Sequence, residues 1–198
     1  GKGAVLGTDP QDEKYDGGPS ELVVGARTTV REYATLHRGS TATRVTRVGE
    51  ECLIMAYAHV AHDCRIGDRV VLANAVNMGG HVHIGDWAIV GGVTAIHQFV
   101  RVGRHAFVGG GSRVTQDVAP YCTVAGNPPS GYGINSVGLD RRDFSGETVR
   151  ALQDAYRRIF RSDGTVARAL DDVEAGATVP EVDEFVRFVR RSERGVTR

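Results

Sequence analysis

From Val24 onward an apolar residue recurs at every sixth position: Val24, Val30, Leu36, Ala42, Val48, Ile54, Val60, Ile66, Leu72, Met78, Ile84, Val90, Ile96, Val102, Val108 and Val114. All are large and aliphatic except Ala42. Four residues after each lies a second tolerant position, from Cys52, Ala58 and Cys64 through Val70, Val76, Val82, Ala88, Thr94 and Val100 to Ala106, Ser112 and Val118. A period of six fits neither an amphipathic helix nor an alternating strand. It predicts a parallel β-helix of hexapeptides, in which three hexads close one turn and residues eighteen apart stack in neighbouring coils. The aliphatic positions would fill a narrow triangular core, the small ones would let the chain bend at corners, and each coil would bury its core only against its neighbours.

The edges of the pattern set the expected domains. Leu6 lies eighteen residues before Val24 and counts as in phase, while the polar, Gly/Pro-rich residues 8–21 read as a loop leaving the solenoid. An uncovered first coil would present unpaired strand edges, which predicts further coils ahead of Gly1. Pro120 occupies the next in-phase site and ends the regular pattern. The expected β-helix therefore spans 1–124, and a connector and helical domain span 125–198. In the latter, Ser145 is an N-cap for a helix whose apolar face is Val149, Leu152, Tyr156, Ile159 and Phe160. Val166, Ala169, Leu170 and Val173 predict a second helix, and Pro180 opens a third with Val182, Phe185, Val186 and Val189 inward, stopped near Gly195.

Composition narrows the function. The 198 residues carry 24 Lys+Arg against 24 Asp+Glu, so no bulk basicity points to nucleic acid. No apolar run reaches membrane-spanning length and no signal peptide opens the chain. Cys52, Cys64 and Cys122 are read as free thiols, two of them in small core positions, which suits a reducing cytoplasm.

The candidate chemistry lies in the histidines. Stacking at eighteen residues puts His62, Gly80 and Gln98 in one column and Asp63, His81 and Phe99 in the next, with His97 beside Gln98 and His59 and His83 flanking. Five of the seven histidines thus fall on or beside one side of the solenoid; His37 and His105 do not. A neutral imidazole can take a proton from a hydroxyl and return it to a leaving group. A glycine N–H can approach a developing oxyanion unhindered. His62 beside Gly80 supplies both parts of an acyl transfer to an alcohol. Asp63 could orient the ring, although adjacent strand residues point apart. His83 shares a column with Arg47, Arg65 and Arg101, a ladder that could steer an acidic partner. One solenoid cannot dehydrate its own polar side, so a homotrimer is expected.

Segments 57–64 (YAHVAHDC), 72–82 (LANAVNMGGHV), 91–99 (GGVTAIHQF), 116–121 (QDVAPY) and 138–144 (GLDRRDF) resemble the UDP-N-acetylglucosamine O-acyltransferases of lipid A biosynthesis, and the resemblance runs from Gln11 to Gly195. It implies a left-handed parallel β-helix with a C-terminal α-helical domain, homotrimeric, with active sites between subunits. The implied reaction moves a 3-hydroxyacyl group from the phosphopantetheine of acyl carrier protein to a UDP-sugar 3-hydroxyl, with no bound cofactor and no metal. By the same resemblance His62 is the general base and Gly80 the oxyanion donor. His59, His81, His97 and Gln98 contact substrate, Asp12 and Lys14 bind the acceptor, and Asn135, Arg141 and Arg142 engage the nucleotide or donor. Gly110 matches a position whose size limits acyl length, with Phe107 nearby. Val137, Asp140 and Pro128 depart from the family's acidic, basic and histidine residues there. Two other enzyme classes share the solenoid: acetyl-CoA-dependent sugar acetyltransferases, and γ-type carbonic anhydrases, which need three converging imidazoles on zinc.

Overall fold

The computed structural model describes residues 1–176 and 179–198. Its first coil holds β1 (Val5–Thr8), β2 (Glu21–Val24) and β3 (Thr29–Val30), and its second β4 (Thr35–His37), β5 (Val45–Val48) and β6 (Leu53–Ile54). The third has β7 (His59–Val60), β8 (Arg65–Ile66) and β9 (Val71–Leu72), and the fourth β10 (Asn77–Met78), β11 (His83–Ile84) and β12 (Ile89–Val90). The fifth has β13 (Ala95–Ile96), β14 (Arg101–Val102) and β15 (Phe107–Val108), and β16 (Arg113–Val114) and β17 (Cys122–Gly126) end the stack. One strand per coil enters each of three parallel sheets: the first runs from β1 to β16, the second from β2 to β14, the third from β3 to β17. The chain is mainly β, a left-handed parallel β-helix followed by a helical part. The in-phase aliphatic residues from Leu36 to Val114, Ala42 excepted, are buried in one continuous core.

Two expectations about register are corrected. Leu6 does not stack on Val24; it pairs with Leu36 in the first sheet, while Val24 pairs with Val48 in the second. Ala42 is not a core residue but lies exposed in a turn between β4 and β5. The cause is two inserted loops, 9–20 after β1 and 38–44 after β4. They lengthen the early coils, so Leu36 pairs with Val60 rather than with a residue eighteen away. From β7 the spacing of eighteen holds, as in His59↔Asn77↔Ala95↔Arg113. The last coil is shorter: Val118 bridges Val102 and Val124 pairs with Val108, sixteen apart, with Pro120 buried in the tightened corner.

The expected boundary at 124 falls inside β17. That strand turns back into β18 (Pro129–Ile134), which pairs with it antiparallel, so much of the supposed connector is a hairpin on the third sheet. α1 (Ser136–Asp140) follows, and then α2 (Gly146–Phe160), capped by Ser145, whose side chain accepts from Thr148 N–H. α3 (Val166–Glu174) and α4 (Pro180–Arg190) complete a second core around Leu139, Leu152, Tyr156, Ile159, Leu170, Val173, Phe185 and Val186. Beyond α4 the tail returns to the solenoid: Asp117 N–H donates to Gly195 O and Thr197 N–H to Asp117 O.

Candidate active site

In the third, fourth and fifth coils the chain passes from the first sheet to the second through a tight corner, and the corner needs a left-handed residue. Asp63, His81 and Phe99 fill that place in three successive coils, at φ of 60°, 61° and 65°. A non-glycine residue there is strained. Stacking supports it, since His81 N–H donates to His62 O and Phe99 N–H to Gly80 O in the preceding coil. The histidine column thus runs along a corner rather than a flat side, with His59 on β7 of the first sheet and His83 on β11 of the second.

The corner also settles how His62 and Asp63 relate. In a strand their side chains would diverge; with Asp63 left-handed, His62 Nδ1 lies 2.7 Å from Asp63 Oδ2. The carboxylate is 1% exposed. Burial raises its pKa, but hydrogen bonds from Thr43, His62 and the Ser40 and Thr43 N–H groups prevail and hold it below the usual carboxylate range. An anion so placed fixes the His62 tautomer with the proton on Nδ1 and leaves Nε2 as an acceptor.

Gly80 shapes the other side of the ring. A Cβ at that residue would stand 2.5 Å from His62 Cε1 and 2.7 Å from Nε2, so only glycine lets the imidazole sit so close. Among the described residues the Gly80 N–H has no hydrogen-bond partner. An imidazole acceptor and a free N–H therefore lie side by side, the two kinds of group an acyl transfer needs.

Neighbouring imidazoles are kept neutral. Burial, reinforced by His37 and His62, pushes His59 down to about 4, and its Nδ1 lies 2.7 Å from Thr35 Oγ1. Burial likewise lowers His81, despite Asp63, and His37. His81 stacks on Phe99 with centroids 4.5 Å apart. Exposed His97 has Nδ1 3.0 Å from Gln98 O and 3.2 Å from Arg194 Nη2, a contact made by the returning tail.

The first inserted loop brings Asp12 to this corner. Its carboxylate accepts from Ser40 Oγ, chiefly lowering its pKa, and from Lys14 N–H at 3.0 Å. Ser40 N–H in turn donates to Asp63 Oδ2 at 3.1 Å, so loop and dyad share one hydrogen-bond chain. The Lys14 side chain is exposed beside it.

Other expected site residues lie elsewhere on the chain. Asn135 caps α1, accepting from Gly138 N–H and donating to His105 O, at the corner between the second and third sheets. Arg142 is clamped there: Nη1 donates to Gly138 O, Nη2 to Trp87 O, and its guanidinium lies 5.0 Å over the Trp87 ring. Arg141 donates its backbone N–H to Val137 O, while its exposed side chain has no partner among the described residues. Phe107 lies on β15, and Gly110 follows it at the corner between the third and first sheets, where a Cβ would come 3.1 Å from Gly92 O. The column Arg47, Arg65, His83, Arg101 forms on the second sheet. Arg101 is not free in it, being paired with buried Asp117 at 3.1 Å and packed 4.6 Å from the Phe188 ring. Sequence reasoning missed the docked tail and Ser40, whose inserted loop carries no apolar periodicity.

One group among the described residues, His62, Asp63 and His81, places potential metal ligands within 4.8 Å of one another. It offers two imidazoles, not the three of a γ-type carbonic anhydrase. Residues 117–197 match the family model described as UDP-N-acetylglucosamine O-acyltransferase, domain 2, and residues 46–80 match the bacterial transferase hexapeptide model. The chain is 44% identical to an acyl-[acyl-carrier-protein]–UDP-N-acetylglucosamine O-acyltransferase of Alkalilimnicola ehrlichii, over 98% of the chain and 76% of that protein. It is 47% identical to the Anaeromyxobacter protein so described, over 98% and 77%. The solved UDP-N-acetylglucosamine acyltransferase of Bacteroides fragilis superposes with a TM-score of 0.97 at 40% identity, over 99% of this chain and 77% of that one. The Arabidopsis enzyme gives 0.93 at 37%, over 98% and 72%.

Proposed function

Because the chain belongs to the acyl-[acyl-carrier-protein]–UDP-N-acetylglucosamine O-acyltransferase family, we propose that it moves a 3-hydroxyacyl group from acyl carrier protein to the 3-hydroxyl of UDP-N-acetylglucosamine or a close UDP-sugar. The observation that carries the reading is the His62 ring, held by Asp63 on one nitrogen and seated against Gly80 on the other. His62 Nε2 takes the sugar hydroxyl proton as the oxygen attacks the thioester carbonyl. The tetrahedral oxyanion takes a hydrogen bond from Gly80 N–H. Collapse breaks the C–S bond, and the imidazolium returns its proton to the departing phosphopantetheine thiolate. Asp63 touches no reacting atom; it positions His62 and stabilises the imidazolium. Asp12 and Lys14 hold the acceptor at the loop.

The working unit is a homotrimer. Arg141 follows α1, Phe107 lies on β15 of the third sheet and Gly110 at the corner after it, all away from the corner that carries His62, so a single chain does not bring them to one substrate. A cleft between subunits would join the His62 corner of one copy to the nucleotide- and acyl-binding residues of the next. Two measurements test this. Mass spectrometry of products from a panel of hydroxyacyl carrier thioesters, acetyl-CoA and UDP-sugars should show carrier-dependent O-acylation; transfer from acetyl-CoA alone would refute the donor. Co-refolding inactive His62→Ala with inactive Arg141→Ala should restore part of the activity, and a mixture that stays silent would refute the shared site. Gly110→Met should move donor preference toward shorter chains by roughly four carbons, one coil spacing of about 4.8 Å, and an unchanged donor profile would place the ruler elsewhere.

A further inference from the structure

The Asp63 carboxylate has a second imidazole within reach. Asp63 Oδ2 stands 2.7 Å from His62 Nδ1 and 3.8 Å from His81 Nε2. Two donors bound to one tetrahedral zinc at about 2.0–2.1 Å lie roughly 3.3 Å apart, and these separations bracket that value. The His62 and His81 rings stand perpendicular, with centroids 5.2 Å apart, so their nitrogens approach the carboxylate from different directions. Outer contacts are already in place: Thr43 occupies Asp63 Oδ1, and Ser40 N–H orients Oδ2. Ligating carboxylates are commonly held in this manner. Both imidazole side chains keep some exposure, 13% and 20%, which gives an ion an entry path and leaves a fourth position for water. Imidazole with carboxylate suits zinc better than magnesium or calcium.

The geometry points to an inhibitory zinc site formed by His62 Nδ1, Asp63 Oδ2 and His81 Nε2. In the metal-free enzyme the His62 proton sits on Nδ1, facing Asp63, and Nε2 carries the lone pair that accepts the substrate proton. Zinc takes the Nδ1 lone pair, and the proton moves to Nε2. The ring stays neutral, no proton is released and nothing is oxidised or reduced. A protonated Nε2 can no longer accept the hydroxyl proton, so acyl transfer stops until the ion leaves. Metal binding rests on the distances alone; only the inhibition rests on His62 as the base.

Untagged protein titrated with Co²⁺, followed by Zn²⁺, tests the site. We expect the visible absorption of four-coordinate cobalt at one ion per chain, displaced by zinc. His81→Ala should abolish the band and weaken zinc binding at least tenfold by calorimetry, since even losing a ligand's outer partner costs roughly 10–100-fold, and His83→Ala should retain both. His81→Gln serves if the alanine variant does not fold. Wild-type turnover should fall in proportion to zinc occupancy and recover with a chelator. A cobalt spectrum that is not four-coordinate, or zinc affinity unchanged in both His81 variants, would overturn the site. Full occupancy with undiminished turnover would overturn the inhibition and, with it, His62 as the base, while leaving the metal site standing.

Discussion

His81 and His105 occupy the same kind of backbone slot at two different corners. Both are left-handed, at φ of 61° and 55°. Each donates its N–H to the coil before, His81 to His62 O and His105 to Asp86 O. Each stacks on the aromatic residue one coil later, Phe99 or Tyr121. They differ in the residue one coil earlier, Asp63 below His81 and Trp87 below His105, and in what covers them. Phe144 closes over His105 edge-on at 5.0 Å, and its Nδ1 is buried without a partner among the described residues. The solenoid thus makes many equivalent histidine slots. A carboxylate and an unhindered N–H, not the slot, turn one of them into a site.

The largest test of this contrast sets two alanines side by side. His62→Ala should lower kcat by roughly 10²–10⁴-fold with little change in melting temperature. His105→Ala should leave turnover near normal but cost on the order of 3 kcal/mol of stability, as emptying a buried aromatic slot does. The opposite pattern in kinetics and calorimetry would place the chemistry at the wrong corner. Next comes Gly80→Ala, whose methyl group must displace the His62 ring; kcat should fall by about 10²-fold or more with the same mass by light scattering as the unaltered protein. A variant with full turnover would free Gly80 from its role.

A smaller effect concerns acid. Burial pushes both His59 and His105 down to about 4, from an ordinary value near 6.5. Between those values the unfolded chain binds protons that the folded chain refuses, so stability is complete above about 6.5 and falls as pH drops toward 4. His105→Phe keeps the stack and removes one such group, so denaturation midpoints should decline less steeply over that interval; an unaltered slope would show that His105 is not refusing a proton. The smallest effect is expected at the arginine ladder. Arg101 is neutralised by Asp117, leaving Arg47 and Arg65 as the exposed charges of the column, with Arg65 paired in register with His83. Arg65→Glu should reduce kcat/KM for the carrier-bound donor a few-fold at low salt and less at high salt; equal losses at both would argue against steering.

How far these features could be read from sequence follows from the physics of the repeat. The core of a solenoid is one-dimensional, and each hexad meets the same environment, so a single period marks nearly every buried residue from Ile54 to Val114. The same regularity hid the two insertions. The step from Leu6 to Val24 exceeds one hexad by twelve residues and the step from Leu36 to Val48 by six, both whole multiples of the period. Phase survives such insertions, and Leu6 and Ala42 were therefore misplaced by counting. His62 and Gly80 were legible because a column needs only the period. The Asp63 contact was not, because strand geometry separates neighbours and only the left-handed corner reunites them. Asn135 and Arg142 carried a family likeness, yet their hydrogen bonds to His105, Gly138 and Trp87 depend on where α1 packs, which no periodicity encodes. The tail docks through backbone bonds around Asp117, and backbone bonds leave no trace in a hydrophobic pattern.

The direction of β18 has a consequence for how such a molecule can grow. Because it runs antiparallel to β17, it offers the wrong polarity to any further coil, and the stack is terminated there as a zip is by its end stop. Duplication of a whole coil is open within the stretch from β5 to β16, where the repeat of eighteen is unbroken. A copied block of that size slides in without disturbing any column, yet it moves the distal corners one storey away from His62. The architecture therefore tolerates extra modules easily, while the proposed pairing of His62 with residues in other coils would fix how many there can be.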